Sequence, residues 1–236
     1  MNGRRFVVAL RWDLQLQWRY GFFVVGIVIA VFWIAVIRSL PTADPSGLIP
    51  VFVVGNMTVT TFFFVAGLVF FEKGEGTLEA LVVTPLRWSE YLGSKVVTLT
   101  VLGGVETLAI VVGVQAGGFA WLPVALSLAV MGALYTLLGF LTALRFDSVT
   151  DFLLPAGLVV ALIELPLLDF LQVWESPIFY LWPTQAVLIL AEASIAPVSS
   201  AELVYAGLYS AVWVAILFAL AMRSFHAFVV RSTGDR

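Results

Sequence analysis

Long apolar stretches separated by short polar segments dominate this chain of 236 residues. A helix needs roughly 20 apolar residues to cross about 30 Å of hydrocarbon. Six stretches approach or exceed that length, and they predict an all-α membrane protein with one domain of six transmembrane helices over residues 20–222. The predicted spans are Tyr20 to Ile37, Leu48 to Phe71, Lys95 to Gly117, Trp121 to Leu144, Phe152 to Val173 and Leu203 to Met222.

The segment before the first span has the pattern of an amphipathic helix. With a 3.6-residue period, one side carries Phe6, Val7, Leu10, Leu14 and Trp18. The opposite side carries Arg4, Arg5, Arg11, Gln15 and Arg19. This pattern predicts an interfacial helix over residues 1–19, lying along the inner leaflet. Two roles stay open for it: a basic anchor on acidic lipid, and a docking surface for a partner.

The segment before the last span, residues 174–202, contains three prolines and no Lys or Arg. Its apolar run from Ala186 to Ala191 is too short to cross a bilayer and is interrupted by Glu192. Prolines can break a helix at membrane depth where backbone groups still reach water or protein. We therefore expect outer re-entrant helices that cover the outward opening as a lid.

Composition and charge agree with a membrane protein and indicate its orientation. The chain is 61% hydrophobic and 11% charged, against roughly 25% charged in soluble domains. Cytoplasmic loops retain Lys and Arg, and a cytoplasmic N-terminus leaves eleven of the twelve inside and only Arg38 outside. We expect a multi-pass protein of the inner or plasma membrane with both termini cytoplasmic, including a tail over residues 223–236. Nucleic acid is not an expected partner.

Residues for catalysis or metal binding are sparse. The chain has no Cys, His226 is its only histidine, and it has neither a nucleophile beside a base nor a phosphate-binding P-loop. Asp147 and Asp151 are four residues apart, but they lack the further ligands of a metal site, and capping of span five explains them better. The sequence predicts no enzymatic activity, no metal site and no cofactor in this chain.

Candidates for a substrate pathway lie within the predicted spans: Asn56, Phe63, Glu106 and Glu164. A carboxylate inside the membrane is costly unless it is paired, protonated or in contact with protein or water. Both acids therefore either meet a cationic substrate or a proton, or are neutral acids hydrogen-bonded between helices. The phenylalanines of span two either line an apolar pathway or pack against neighbouring helices.

A polar island, residues 72–95, separates spans two and three. Its glycines permit an abrupt turn, a threonine can cap a helix, a glutamate suits the positive first turn, and a proline stops continuation. In chain order these residues are Gly74, Gly76, Thr77, Glu79 and Pro85. They predict a short helix from about Thr77 to Val83, held at the cytoplasmic membrane surface.

The island also carries a longer pattern, made of Glu72-Lys73, Gly76-Thr77-Leu78-Glu79, Leu81, Thr84-Pro85, Glu90-Tyr91 and Lys95. This pattern resembles the signature between spans two and three of type-2 ATP-binding-cassette (ABC) export permeases. The amphipathic N-terminus, the six predicted spans and the proline-rich outer segment agree with that family over nearly the whole chain. The short chain without a large external domain is most similar to small drug-export permeases, including those linked to fluoroquinolone efflux.

The resemblance implies a permease that works with a separate ATP-binding subunit. Two permease copies, identical or paralogous, would form a central pathway for hydrophobic or amphipathic molecules, and ATP and Mg would bind the partner subunits. The short helix would be the coupling helix, with Leu78 and Leu81 as its apolar contacts and Glu79 as a polar one. The residues assigned to ATPase coupling are Glu72, Glu75, Gly76, Thr77, Leu78, Glu79, Leu81 and Pro85.

Two hypotheses accompany this interpretation. The first is that Glu72 or Glu75 pairs with an N-terminal arginine such as Arg11 or Arg19, which would tie the surface helix to the coupling helix. The second is an alternative function, an ion-coupled secondary transporter or channel in which Glu106 and Glu164 carry the coupling ion.

Overall fold

The computed structural model describes residues 3–39, 46–80, 84–114 and 118–234. Those residues form α-helices joined by short 3-10 turns and one π-helical segment, and they contain no strand. The helices are α1 Gly3–Arg19, α2 Phe22–Ser39, α3 Ile49–Met57, α4 Phe64–Gly74, α5 Thr77–Ala80, α6 Trp88–Val114, α7 Trp121–Ala143, α8 Val149–Ile163, α9 Leu167–Phe170, α10 Pro183–Glu192 and α11 Ser200–Gly234. The π-helical segment is Thr58–Phe63, and the 3-10 turns are Ser46–Leu48 and Pro177–Leu181.

Within the described part of the chain, five helical segments are long and apolar enough to cross a membrane. They are Phe22–Ser39, Ile49–Gly74, Trp88–Val114, Trp121–Ala143 and Ser200–Ala227. The second joins α3, the π-helical segment and α4 into one continuous rod. The all-α membrane fold is therefore confirmed, and five of the six predicted spans have a matching helix.

The remaining predicted span, Phe152 to Val173, is divided in the structure. The apolar helix α8 ends at Ile163, and α9 begins only at Leu167. Pro166 accounts for the break, because it lacks an N–H and disfavours helical geometry at the residue before it. The six-span count depends on this short helix and stays a prediction.

Two helices extend further than predicted. α6 begins at Trp88, where the backbone N–H of Arg87 donates to the Glu90 carboxylate at 3.1 Å, half of a capping box. The last part of the polar island is therefore the first two turns of a span. α11 likewise continues to Gly234, so most of the predicted tail is helical.

α7 is the central helix of the bundle and packs against α4, α6, α10 and α11. Two glycines allow this close approach. A Cβ on Gly139 would lie 2.4 Å from the backbone oxygen of Phe62, and one on Gly132 would lie 2.5 Å from Oγ1 of Thr100. Small residues at such crossings let membrane helices approach closely and gain van der Waals contact.

The predicted outer segment contains one buried helix. All residues of α10 from Pro183 to Ala191 are buried, against α3, α7 and α11. Trp182 Nε1 and Thr184 Oγ1 each donate at 2.7 Å to carbonyls of Leu162 and Ile163, which satisfies the end of α8. Ten residues are too few to cross a bilayer, as the sequence predicted for this run, and its re-entrant character stays a prediction.

Candidate functional site: the surface helices and the intramembrane acids

α5 is attached to the bundle by a tight turn and one buried side chain. The turn from α4 passes through Gly76, whose φ of +68° lies in the left-handed region that glycine adopts without strain. Thr77 begins α5 and is exposed, whereas Leu78 is 1% exposed and belongs to the main core. The sequence interpretation gave Leu78 to a partner, but its burial makes it the anchor of α5 in this chain.

α1 holds the predicted coupling segment, the polar island of residues 72–95, on both sides of α5. Arg19 Nη2 lies 3.3 Å from Glu75 Oε1, which also accepts a hydrogen bond from the Tyr20 hydroxyl at 2.7 Å. On the other side, Arg5 Nη1 donates to the Pro85 carbonyl at 2.8 Å. The hypothesis that Glu75 pairs with Arg19 is confirmed, and its alternatives through Glu72 or Arg11 are wrong.

Glu72 instead belongs to a buried ion network around Lys95. The ammonium of Lys95 lies 2.6 Å from Glu72 Oε1 and 3.1 Å from Asp13 Oδ1, and the Lys95 side chain has no exposed surface. The Tyr91 hydroxyl donates to Glu72, and the Ser94 hydroxyl donates to Asp13. The network joins α1, α4 and α6.

Two distant parts of the polar island meet in this network. Glu72 opens the family-like pattern, Tyr91 and Lys95 close it, and the fold brings all three into hydrogen-bonding distance. Glu72 was predicted to lie in the coupling segment, but Asp13, the second carboxylate against Lys95, was not predicted. A signal was present: Asp13 is the only acid of α1 and shares a four-residue spacing with the buried Ala9 and Gln17.

The side of α1 that packs on the bundle is therefore polar. Much of its apolar surface faces away from the bundle. Gln17 donates from Nε2 to Thr98 Oγ1 at 2.8 Å, beside the ion network. Trp12 and Trp18 are 63% and 74% exposed. Amphipathic helix formation is confirmed, but the attachment of α1 to the bundle uses hydrogen bonds and ions.

The other predicted coupling residues lie around this attachment. Glu75, Thr77 and Pro85 are exposed, and Gly76 is half-buried. Glu79 is in α5, but its side chain lies outside what the structure describes, and Leu81 lies outside the described residues. A cavity of about 610 Å³ lies between α1 and the coupling segment, with Trp12, Thr77 and Pro85 among its lining residues.

Lys73 connects the coupling segment to α7. Its ammonium donates to the carbonyls of Ala143, Leu144 and Phe146 at 3.1, 3.3 and 2.6 Å. These carbonyls lie at the C-terminal end of α7, where a cation satisfies unpaired acceptors and complements the helix dipole. Lys73 thus fixes the C-terminal end of α7.

The π-helical segment contacts both intramembrane acids. Thr58 Oγ1 lies 2.5 Å from Glu164 Oε1, and Thr60 Oγ1 lies 2.7 Å from Glu106 Oε2. Because the two threonines are two positions apart on one helix, their side chains point to nearly opposite sides of span two. π-helical segments occur frequently at functional sites, and this one separates the two acids.

Three of the predicted pathway residues make polar contacts, and the fourth makes aromatic ones. Asn56 donates to Thr107 at 2.9 Å, next to Glu106, which is 5% exposed. A Cβ on Gly26 of α2 would lie 3.2 Å from Glu106 Oε2, so α2 covers this acid closely. Phe63 packs against Phe62 and Phe152, which favours the packing interpretation for this residue.

A profile of the fluoroquinolones export permease protein family matches residues 4–233. The chain belongs to this family. Two curated relatives from Mycobacterium tuberculosis, in strains CDC 1551 / Oshkosh and ATCC 25618 / H37Rv, are each named fluoroquinolones export permease protein. Each is 35% identical over 233 residues, which cover 98% of this chain and 98% of the relative.

Membership in this permease family confirms the predicted resemblance to small drug-export permeases. The matched range includes α1, α5, the buried ion network and all five candidate spans. The surface helices and the apolar bundle therefore belong to one family unit. This permease is a membrane protein, and its relatives match nearly all of the chain.

Proposed function

We propose that this chain is the transmembrane permease subunit of an ATP-driven ABC exporter that moves hydrophobic or amphipathic drugs outward. A separate ATP-binding subunit supplies the energy, with ATP and Mg bound on that subunit. Two permease copies, identical or paralogous, surround the pathway. Each crosses the inner or plasma membrane six times, with both termini cytoplasmic.

The observation that carries this proposal is the connection from α5 to the spans. α5 is anchored through Leu78 in the core and held by α1 through Glu75 and Pro85. One turn away, Glu72 joins α4 to α6 through Lys95. A push on α5 therefore moves spans two and three together, which is what alternating access driven from outside the membrane requires.

The arrangement of the acids gives less support to an ion-coupled carrier. Glu106 and Glu164 bond to threonines on nearly opposite sides of span two, so they do not form one ion site. Glu106 suits contact with a cationic substrate better, since it lies beside Asn56 and its Oε1 is buried without a hydrogen-bond partner among the described residues.

Docking of the ATPase on α5 is tested by one bulky substitution. Thr77 is exposed at the start of α5, so Thr77→Trp leaves the fold intact while it obstructs a partner. We expect the variant to lose co-purification with the ATP-binding subunit in mild detergent. Thr150→Trp is the matched control, because Thr150 is also an exposed threonine in a first helical turn, that of α8. Equal recovery of the ATPase with both variants would contradict docking at α5.

A further inference from the structure

A second cavity, of about 820 Å³, lies at the end of the bundle opposite to α5. α11 begins beside it at Ser200, and its other end carries Phe225, which stacks on Tyr91 near the buried ion network. The cavity walls come from α9, α10, the Pro177–Leu181 turn and the start of α11. None of the predicted pathway or coupling residues that the structure describes lines it.

This cavity, called here the outer cavity, is lined by acids. Asp169, Glu175, Glu192 and Glu202 all contribute to its walls. The sequence contains no Lys, Arg or His between Arg145 and Arg223, so α9, α10 and the start of α11 offer these carboxylates no cation. The outer cavity therefore has a negative field, which focuses onto its interior because the walls are of low dielectric constant.

Two of the four acids have structural roles. Asp169 accepts hydrogen bonds from the backbone N–H of Ser176 at 3.2 Å and from Gln185 at 3.3 Å. Glu202 forms a capping box with Ser199 at the start of α11, at 2.6 and 3.1 Å. Glu175 and Glu192 take part in no such arrangement within the described chain. Burial, together with nearby Glu202, raises the pKa of Glu192 above its usual range.

Gln185 supplies an independent sign of a ligand. It is 7% exposed, lines the outer cavity and donates from Nε2 to Asp169 Oδ2. Because the amide nitrogen faces Asp169, Oε1 is left as the free acceptor. That oxygen is buried and has no hydrogen-bond partner among the described residues. A buried acceptor without a donor is costly, and an N–H group would satisfy it.

Size and the nature of the walls favour an organic cation over a metal ion. The described residues contain no group of three His, Cys, Asp or Glu side chains close enough to hold a metal. The cavity volume of about 820 Å³ falls in the range of small-molecule sites. Phe170 and Tyr180 also line it, and aromatic faces attract cations and apolar groups alike.

We propose that the outer cavity binds amphipathic organic amines in their protonated form. Glu192 and Glu175 balance the charge, Gln185 Oε1 accepts an ammonium N–H, and Phe170 and Tyr180 contact the apolar part. The proposal rests on the proposed function only in taking this amine to be a drug that leaves at this end. Binding itself requires neither the ATPase nor nucleotide.

The test is equilibrium binding of dansylcadaverine, a fluorescent primary amine, to the full-length permease in nanodiscs without nucleotide. Its N-acetylated form is the matched neutral probe. We expect the amine to bind at least tenfold more tightly than the acetylated probe, and Glu192→Gln to weaken amine binding about tenfold. Glu175→Gln should weaken it in the same direction. Asp147→Asn removes an equal charge at the other end of the bundle and should bind as wild type does.

Equal affinity for the two probes, or unchanged binding in both glutamate variants, would overturn the proposal. Displacement of the amine by micromolar Mg²⁺ or Ca²⁺ would also overturn it, because the site would then select metal ions. Failure of amine binding while ATP-dependent drug export persists would sink this inference alone and leave the proposed function standing.

Discussion

Lys95 is the side chain on which the junction of three helices depends. It is fully buried between Asp13 and Glu72, so its removal leaves two carboxylates without their cation. Breaking a buried ion pair from one side destabilises a protein by about 3–5 kcal/mol. We expect Lys95→Met to lower the unfolding free energy by that amount, measured by denaturant unfolding in detergent.

The control for Lys95 is Arg11→Met, the same loss of positive charge at an exposed position of α1. Its effect should stay within about 0.5 kcal/mol. In the Lys95→Met background, Asp13→Asn should cost far less than in wild type, because the carboxylate has already lost its partner. Additive effects of the two substitutions would show that the network does not act as a unit.

A substitution at Glu106 tests the predicted substrate pathway. An amide oxygen can accept the Thr60 hydrogen bond as the carboxylate does, so Glu106→Gln removes charge while it preserves the contact. We expect resistance to cationic drugs to fall about tenfold and resistance to neutral drugs to stay unchanged. The measurement is susceptibility of cells that express the permease with its ATPase. An equal loss for all drugs would remove Glu106 from substrate recognition.

Individual residues differ in how far the sequence could predict them. The Arg19 to Glu75 contact was predictable, because both residues flank surface helices and carry opposite charge. The ion network around Glu72 was not predictable. Lys95 follows 23 residues later and Asp13 precedes by 59, and only the packing of three helices brings them together. Leu78 illustrates the same limit. Its apolar side chain is evident from the sequence, but the sequence does not show whether it packs in the core or against a partner.

At the scale of elements, helix existence followed from the apolar pattern, whereas breaks and extensions depended on local chemistry. The break after α8 coincides with Pro166, and the early start of α6 coincides with the Glu90 cap. The π-helical segment had no sequence signal, since its threonines bond to acids of two other helices. The side of α1 that packs on the bundle was not predicted, because its polar residues find partners that periodicity cannot reveal.

The number of membrane spans depends on the short helix α8. If α8 and α9 together cross the membrane, Asp147 and Glu175 lie on opposite sides, as six spans require. The chain contains no Cys, so Asp147→Cys and Glu175→Cys each introduce a single thiol. We expect a membrane-impermeant maleimide added outside intact cells to label Glu175→Cys and not Asp147→Cys. Labelling of both, or of neither, from outside would contradict the six-span topology.

In the whole molecule, the two proposals place the ATPase at one end of the helix bundle and the bound amine at the other. In the proposed mechanism, α1 and α5 form the end that receives force, and the outer cavity lies at the other end. α7 and α11 pack together along the bundle, and Lys73 caps the C-terminal end of α7 beside the coupling segment. Large exposed apolar side chains on α2, α8 and α11, among them Phe32, Leu154 and Leu208, suit contact with lipid and with a second permease copy.

Transport in proteoliposomes measures whether a separate ATPase drives this permease. Drug accumulation is measured with permease alone, with permease and its ATP-binding subunit plus ATP and Mg, and with permease alone under a proton or sodium gradient. We expect accumulation only in the second case, and we expect Thr77→Trp but not Thr150→Trp to abolish it. Transport by the permease alone under an ion gradient, unchanged by the ATPase and ATP, would contradict it.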